Sequence, residues 1–258
     1  AVYALNQSSN WSNQVIAKID SNGPSAPSVS SPTHPDQNAW SKLNSSSFSW
    51  STPSELSGVY GYYYWIDREP QFIPEPGVFA LFTQNNSIAV DSLPKGVGQI
   101  TDDVGLPQGT LYFHIRPIDN AGNLAQQASH YKINIDQTPP TTTDGSDSIW
   151  HNQGYALVLS PFDMLSGVSQ TYSEINGNTP TISSPQGTIV SFPSTGNYSV
   201  EYFSTDVAGN AEQTRISSNS VLIDATKPVI TVVSPVDEFV NPFEPLAFNF
   251  TAVDEHSG

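Results

Sequence analysis

Apolar and polar residues alternate in short runs along this chain, and no long window carries an apolar period of 3.6 residues. A period of two sends successive side chains to opposite faces of a strand. The clearest run is 109–118, where Leu111, Phe113 and Ile115 face one way and Tyr112, His114 and Arg116 the other. Run 59–66 is a second strand, rich in rings: Tyr60, Tyr62 and Tyr64 alternate with Gly61, Tyr63 and Trp65. One of its faces belongs to a core; the other packs on the Pro-rich loop 67–77 or offers a platform to a sugar. Shorter candidates lie at 25–30, 48–50 and 88–93, separated by polar loops and by the turn 53–58. The pattern predicts an all-β chain.

The same order of elements returns further on. Runs 155–160, 168–175, 187–192 and 197–205, with the turn 161–167, take the places of those in the first set. Tyr198, Val200 and Tyr202 fall in register with Leu111, Phe113 and Ile115 without a gap, and the match continues through the next loop. Ile135-Asp136-Gln137-Thr138-Pro139-Pro140 recurs as Ile19-Asp20-Ser21-Asn22-Gly23-Pro24 and as Ile223-Asp224-Ala225-Thr226-Lys227-Pro228. Each copy ends an alternating run with Asp and sets a Pro beyond it. Pro cannot donate to a ladder, so strand, joint and new strand follow in order. Four pieces result: closing strands at 1–20, complete units at 21–136 and 137–225, and opening strands at 226–258 (229–233 and 246–250). The two ends need completion, by a longer parent chain or by neighbouring copies. The open apolar face of the last piece comprises residues such as Val229, Phe248 and Phe250.

Composition narrows the function classes. The formal charge of −16 excludes nucleic acid as a partner and suits divalent cations. Cysteine is absent, so disulfides and thiolate chemistry are excluded. No apolar run is long enough to span a bilayer. Ala1 opens no signal peptide and no initiator Met stands there, so the sequence is expected to be cut from something longer.

The motifs Ile-Asp-x-x-x-Pro, Ser166-Gly167-Val168 and Asp-x-Ala-Gly-Asn (119–123 and 206–210) resemble the tandem immunoglobulin-like or fibronectin type III-like repeats of archaeal and bacterial surface proteins. The segment 32–40 with 61–67 is similar to one subtype. Trp150-His151-Asn152 with Ile175-Asn176-Gly177 is similar to a shorter one. The resemblance implies β-sandwiches arranged end to end, with partial domains at both termini. It also implies an extracellular role in envelopes, stalks or adhesins, or as spacers in secreted enzymes.

In that topology the entry of the chain and the turns after the second strand and before the last lie at one pole. Three polar features then meet: Asp20, Glu55, Asp119 and Asn123 in one unit, and Asp136, Asp163, Asp206 and Asn210 in the next. Asp224 and Asp254 remain in the broken copy. Three carboxylates suit a hard cation such as Ca²⁺, which takes six to eight oxygens. The competing reading is turn chemistry, since Asp and Asn bond their own backbone and Gly122 and Gly209 suit positive φ. Asp67, Glu69 and Glu75 share one loop and are read as solvated rather than as a glycosidase pair. His34, His114, His130, His151 and His256 show no paired spacing for zinc. With no nucleophile elbow either, no enzyme is expected. Asn6, Asn10, Asn44, Asn85, Asn197 and Asn249 stand in glycosylation sequons. The expectation is a structural extracellular array within a surface layer, sheath, stalk or filament, stiffened by Ca²⁺, whose partners are other copies or the rest of a parent chain. The alternative is a spacer or carbohydrate-binding accessory module of a secreted hydrolase or adhesin, with surface glycans as ligands.

Overall fold

The computed structural model describes residues 18–78, 80–90, 105–178, 181–183, 188–234, 243, 245 and 248–257. The closing strands expected within 1–17, with the sequons Asn6 and Asn10, lie outside the described residues. Among the described residues every regular element is a strand. The chain separates into two compact units. The first is Ala1–Asn38 with Ser45–Asn134; the second is Ala39–Asn44 with Ile135–Gly258.

The first unit opens with β1 (Val29–Ser30); β2 (Trp40–Ser41) falls in the short segment that belongs to the second unit. β3 (Ser46–Trp50) pairs with β1 on one side and with β6 (Ser87–Val90) on the other, both antiparallel. The facing sheet runs β8-β7-β4-β5, from β8 (Ser129–Ile135) through β7 (Gly109–Asp119) and β4 (Val59–Asp67) to β5 (Leu81–Thr83). Phe48 and Trp50 from the first sheet meet Tyr62, Leu111, Phe113, Ile115 and Ile133 from the second, all buried. Phe48 stacks on Phe113 at 4.1 Å, and Trp50 meets Tyr62 edge-on at 5.3 Å. The alternation expected of run 59–66 holds for Tyr62 and Ile66 but not for Tyr60, which is half exposed. Val59 lies opposite Asp119 and Gly61 opposite Ile118, so Tyr60 is the extra residue of a β-bulge and leaves the core face. It packs instead with Tyr63 around Phe82. Gly61 permits this arrangement, because a Cβ there would stand 2.3 Å from the Phe82 ring.

The second unit repeats the plan. β11 (Ala156–Phe162) lies between β9 (Thr141–Asp144) and β14 (Thr188–Ser191). The facing sheet runs β13-β12-β16-β17, from β13 (Thr181–Ser183) through β12 (Val168–Ile175) and β16 (Val200–Asp206) to β17 (Arg215–Ile216). β10 (Trp150–Asn152) runs parallel to β18 (Val221–Asp224), whose other neighbour is β15 (Gly196–Tyr198). Leu157, Leu159, Val190, Val200, Tyr202, Val221 and Ile223 form the core between the layers. This is the strand order of an immunoglobulin-like, fibronectin type III-like sandwich. Val168 opposite Asp206 and Gln170 opposite Thr205 reproduce the bulge of the first unit.

Two boundaries differ from those read in the sequence. Run 161–167 is not all turn: β11 continues through Pro161 and Phe162, which pair with Thr142 and Thr141. Run 197–205 is broken at Ser199, because Gly196–Tyr198 pairs with β18 while Val200–Asp206 joins β12. In the segment 226–258, β19 (Val229–Ser234) and β20 (Asn249–Val253) form an antiparallel hairpin with every residue exposed. The second strand therefore sits later than the expected 246–250.

A polar seam joins the layers of the second unit. The Thr142 hydroxyl donates to Glu212, so Ser204 must donate to Thr142 (2.7 Å) and Thr171 to Ser204 (2.9 Å). Glu212 also accepts from the backbone N–H of Thr142 (3.0 Å) and of Ser204 (2.8 Å). All four side chains are buried. Glu212→Ala strips three donors of their acceptor and is expected to cost about 2–3 kcal/mol, read from urea unfolding followed by circular dichroism. A cost near zero would show that water replaces the carboxylate.

Candidate metal centres

In the first unit Asp20, Glu55 and Asp119 each bring a carboxylate oxygen to within 4.8 Å of the others. Asp20 stands just before the sandwich, and its carboxylate accepts from the N–H groups of Asn22 (3.2 Å) and Ser57 (3.1 Å). Asp119 ends β7, where one oxygen accepts from Ala121 N (2.9 Å) and Asn123 N (2.7 Å). Its other oxygen accepts from the Asn123 side chain at 2.9 Å. Glu55 accepts from Leu56 N with one oxygen (2.7 Å). Ser57 Oγ is buried here beside Asp119, whose carboxylate it helps to stabilise.

The second unit builds the same cradle from Asp136, Asp163 and Asp206. Asp136 is fully buried and accepts from Thr138 N (3.0 Å) and Ser166 N (2.9 Å). Asp206 accepts from Asn210 N and from its side chain, both at 2.7 Å. Asp163 accepts from Leu165 N (3.1 Å) and Gly167 N (2.7 Å) through one oxygen. Gly58 and Gly167 share φ +81, and Gly122 and Gly209 turn at +91 and +89, so both loops of each cradle repeat their backbone. One difference stands out: Lys42 Nζ donates to the Gly209 carbonyl at 3.3 Å, placing an ammonium beside the second cradle.

Asn123 and Asn210, read in the sequence as ligands, also act as hydrogen-bond donors through Nδ2. Asn123 Nδ2 donates to Asp20 O (3.1 Å) as well as to Asp119, and Asn210 Nδ2 donates to Asp136 O (2.9 Å) and Asp206. Each amide nitrogen thus meets one backbone carbonyl and one carboxylate oxygen. The two Asn side chains clasp the joint to the loop. Further along the chain, the Asp224 carboxylate accepts from Thr226 N (2.8 Å) and Asp254 from His256 N (3.0 Å) and Ser257 N (3.1 Å). The Thr226 hydroxyl, then Ser257, hold Asp224 far below the usual carboxylate range. Burial pushes Asp119 up, but the Asn123 side chain and the N–H groups of Asn123 and Ala121 outweigh it and keep the carboxyl low. Asp119 and Asp224 are therefore anionic at neutral pH.

The sequence missed a buried constellation in the first unit. His114 Nε2 donates to Asp67 Oδ1 at 3.1 Å, so its Nδ1 must accept from His130 Nδ1 at 2.7 Å. The neighbouring strands β7 and β8 bring the two rings together, a proximity that sequence spacing does not carry. Phe72, from the Pro-rich loop, covers His114 at 5.8 Å. In the same loop Asp67 also accepts from Glu69 N (2.8 Å), and Glu75 pairs with Arg116 at 3.5 Å. Of the sequons, Asn85, Asn197 and Asn249 are exposed and Asn44 is half-buried.

No known family profile matches the chain, and no curated protein matches it. Solved structures are similar in fold. The fibronectin(III)-like modules of Clostridium thermocellum CbhA align over 77% of this chain and 95% of theirs, at 9% identity and TM-score 0.36. The tetra-tandem repeat in the extending region of a large adhesion protein aligns over 91% of this chain and 64% of its own, at 14% and 0.33. The chicken CNTN1 FN1–FN3 domains align over 83% and 73%, at 11% and 0.32.

Burial pushes His114 down to about 4, an effect that Asp67 only partly offsets. The unfolded chain, with an ordinary His pKa near 6.5, then binds the extra proton first as pH falls. Stability is full above pH ~6.5 and drops by about 3 kcal/mol by pH ~4 on this account alone. Urea unfolding at pH 7 and 4.5 should show this loss, and His114→Gln should flatten it.

Proposed function

We propose that this chain is a structural repeat array of an extracellular surface, each complete unit carrying a Ca²⁺ ion in its carboxylate cradle. The observation that carries the reading is the duplication of one cradle, loop for loop, at the same place in two sandwiches whose other loops differ. A turn needs one side-chain acceptor; here three carboxylates converge, and within each cradle their repulsion calls for a cation. Glu55 and Asp163 each retain a carboxylate oxygen that no hydrogen bond uses. Such an ion would tie the Asp at the head of each sandwich to two of its loops. Exposed Asn85, Asn197 and Asn249 suit glycosylation on an exported surface.

Calorimetry of the full chain should show two Ca²⁺ sites, one lost in Asp119→Asn and the other in Asp206→Asn. Calcium at a hundredfold over its Kd should stabilise the corresponding unit by about 2.7 kcal/mol. Lys42→Met should tighten the second site and leave the first unchanged, because the ammonium lies only beside the Asp206 loop. No heat and no shift in melting would reduce the cradles to turn chemistry.

An accessory module with affinity for carbohydrate is favoured by one observation. Tyr60 and Phe82 stay 51% and 41% exposed, with centroids 5.6 Å apart, as a ring platform on the first unit. Binding on a glycan array that is abolished by Tyr60→Ala would establish that role.

A further inference from the structure

The outward face of the β12–β16 pair presents an acidic–aromatic groove. Tyr172 stacks on Phe203 across the strands, with centroids 4.5 Å apart and planes 10° from parallel. One step further along the same face, Glu174 stands directly opposite Glu201. Like charges facing each other across an antiparallel pair destabilise it, so this pairing works against the sheet that bears it. Among the described residues neither carboxylate has a cation beside it: Arg215 is engaged with Glu212 at 3.6 Å, and its strand partner is the inward-facing Tyr202. Tyr172, Glu174, Glu201, Phe203 and Thr214 line a groove of about 140 Å³. Tyr172 is held in place by its hydroxyl, which donates to Gln170 at 2.6 Å.

The first unit shows how the same positions are used when the chain covers them itself. There Tyr63 stands opposite Arg116 and Trp65 opposite His114. The Arg116 guanidinium lies on that face, donating to Ala125 O (2.7 Å) and pairing with Glu75 of the Pro-rich loop. In the second unit Phe203 replaces Arg116 and the two Glu replace Trp65 and His114. The turn Asn176-Gly177, with φ of +49 and +75, replaces the covering loop. The face thus carries aromatic rings and two carboxylates but no guanidinium of its own.

We propose that this groove docks an arginine side chain of a protein partner. A guanidinium is planar, so it stacks on the Tyr172–Phe203 rings while its N–H fork reaches the Glu174 and Glu201 carboxylates. Binding would remove the repulsion between the two Glu and supply the cation that the first unit carries internally. The site lies outside the calcium cradles and does not depend on them.

The test uses the full chain, isotopically labelled, and a tetra-arginine peptide at low salt. Amide resonances of residues 172–174 and 201–203 should shift on titration. Glu174→Gln with Glu201→Gln should weaken that binding at least tenfold while melting at the same or a higher temperature. Tetra-lysine should bind several-fold more weakly, since an ammonium lacks the planar fork. Equal binding of tetra-lysine at these residues would overturn the assignment. Arginine shifts spread over the whole acidic surface and unchanged in the double variant would do the same. So would perturbation of these residues by a neutral oligosaccharide such as cellohexaose but not by the peptide.

Discussion

Both sandwiches depend on the hydrogen bonding of one carboxylate at the head of the chain's entry. Asp136 cannot be solvated, because it is fully buried, and an unpaired buried charge would be severely destabilising. Its oxygens are met by the N–H groups of Thr138 and Ser166, its carbonyl by Asn210, and its own N–H by Ser41 O (2.9 Å). Four separate stretches of chain are therefore fixed by one residue. Asp20 does the same in the first unit through Asn22, Ser57 and Asn123. The cradle is first of all a device for joining loops, and its negative charge follows from building the joint out of carboxylates.

Much of this was legible in the sequence, for a definite reason. Strand period, the recurring Ile-Asp-x-x-x-Pro and the gapless match of Tyr198, Val200 and Tyr202 with Leu111, Phe113 and Ile115 are all local or repeated patterns. The convergence of Asp20, Glu55 and Asp119 was accessible only through the topology that the motifs implied. What stayed hidden depends on cross-strand register. The bulge at Tyr60 adds one residue that no periodicity announces, and it removes a tyrosine from the core face. His114, which alternation assigns to the outside, is buried because the Pro-rich loop folds Phe72 over it. The role of Asn123 as a donor follows from which acceptors surround it, not from its place in Asp-x-Ala-Gly-Asn.

The two units also resolve one packing problem in different ways. At the place of Ala125 in the first, the second has Glu212, and an apolar contact becomes the hydroxyl chain Thr171–Ser204–Thr142 ending on a carboxylate. Each hydroxyl in that chain has its proton direction dictated by the anion at its end. The first unit relies instead on ring stacking, with Phe48, Trp50, Tyr62 and Phe113 in mutual contact. The same backbone plan accommodates an aromatic core and a polar seam.

The bulge has a further consequence for how such modules vary. In both units it sits opposite the loop-closing Asp, next to the glycine at φ +81, so the reading frame of the third strand is set from the cradle end. A one-residue slip there would turn every core side chain outward. At the opposite end of the same strand the hydrogen bonds differ between the units, Asp67 to His114 in one and Asn176 to Ser199 in the other, and the chain passes into a long Pro-rich loop in one unit and a tight Asn-Gly turn in the other. The two ends of the module are thus unequal substrates for change: one repeats the same hydrogen bonds in both units, and the other holds loops of different length with different partners over the same core plan. New sequence grafted onto this scaffold belongs at the second end.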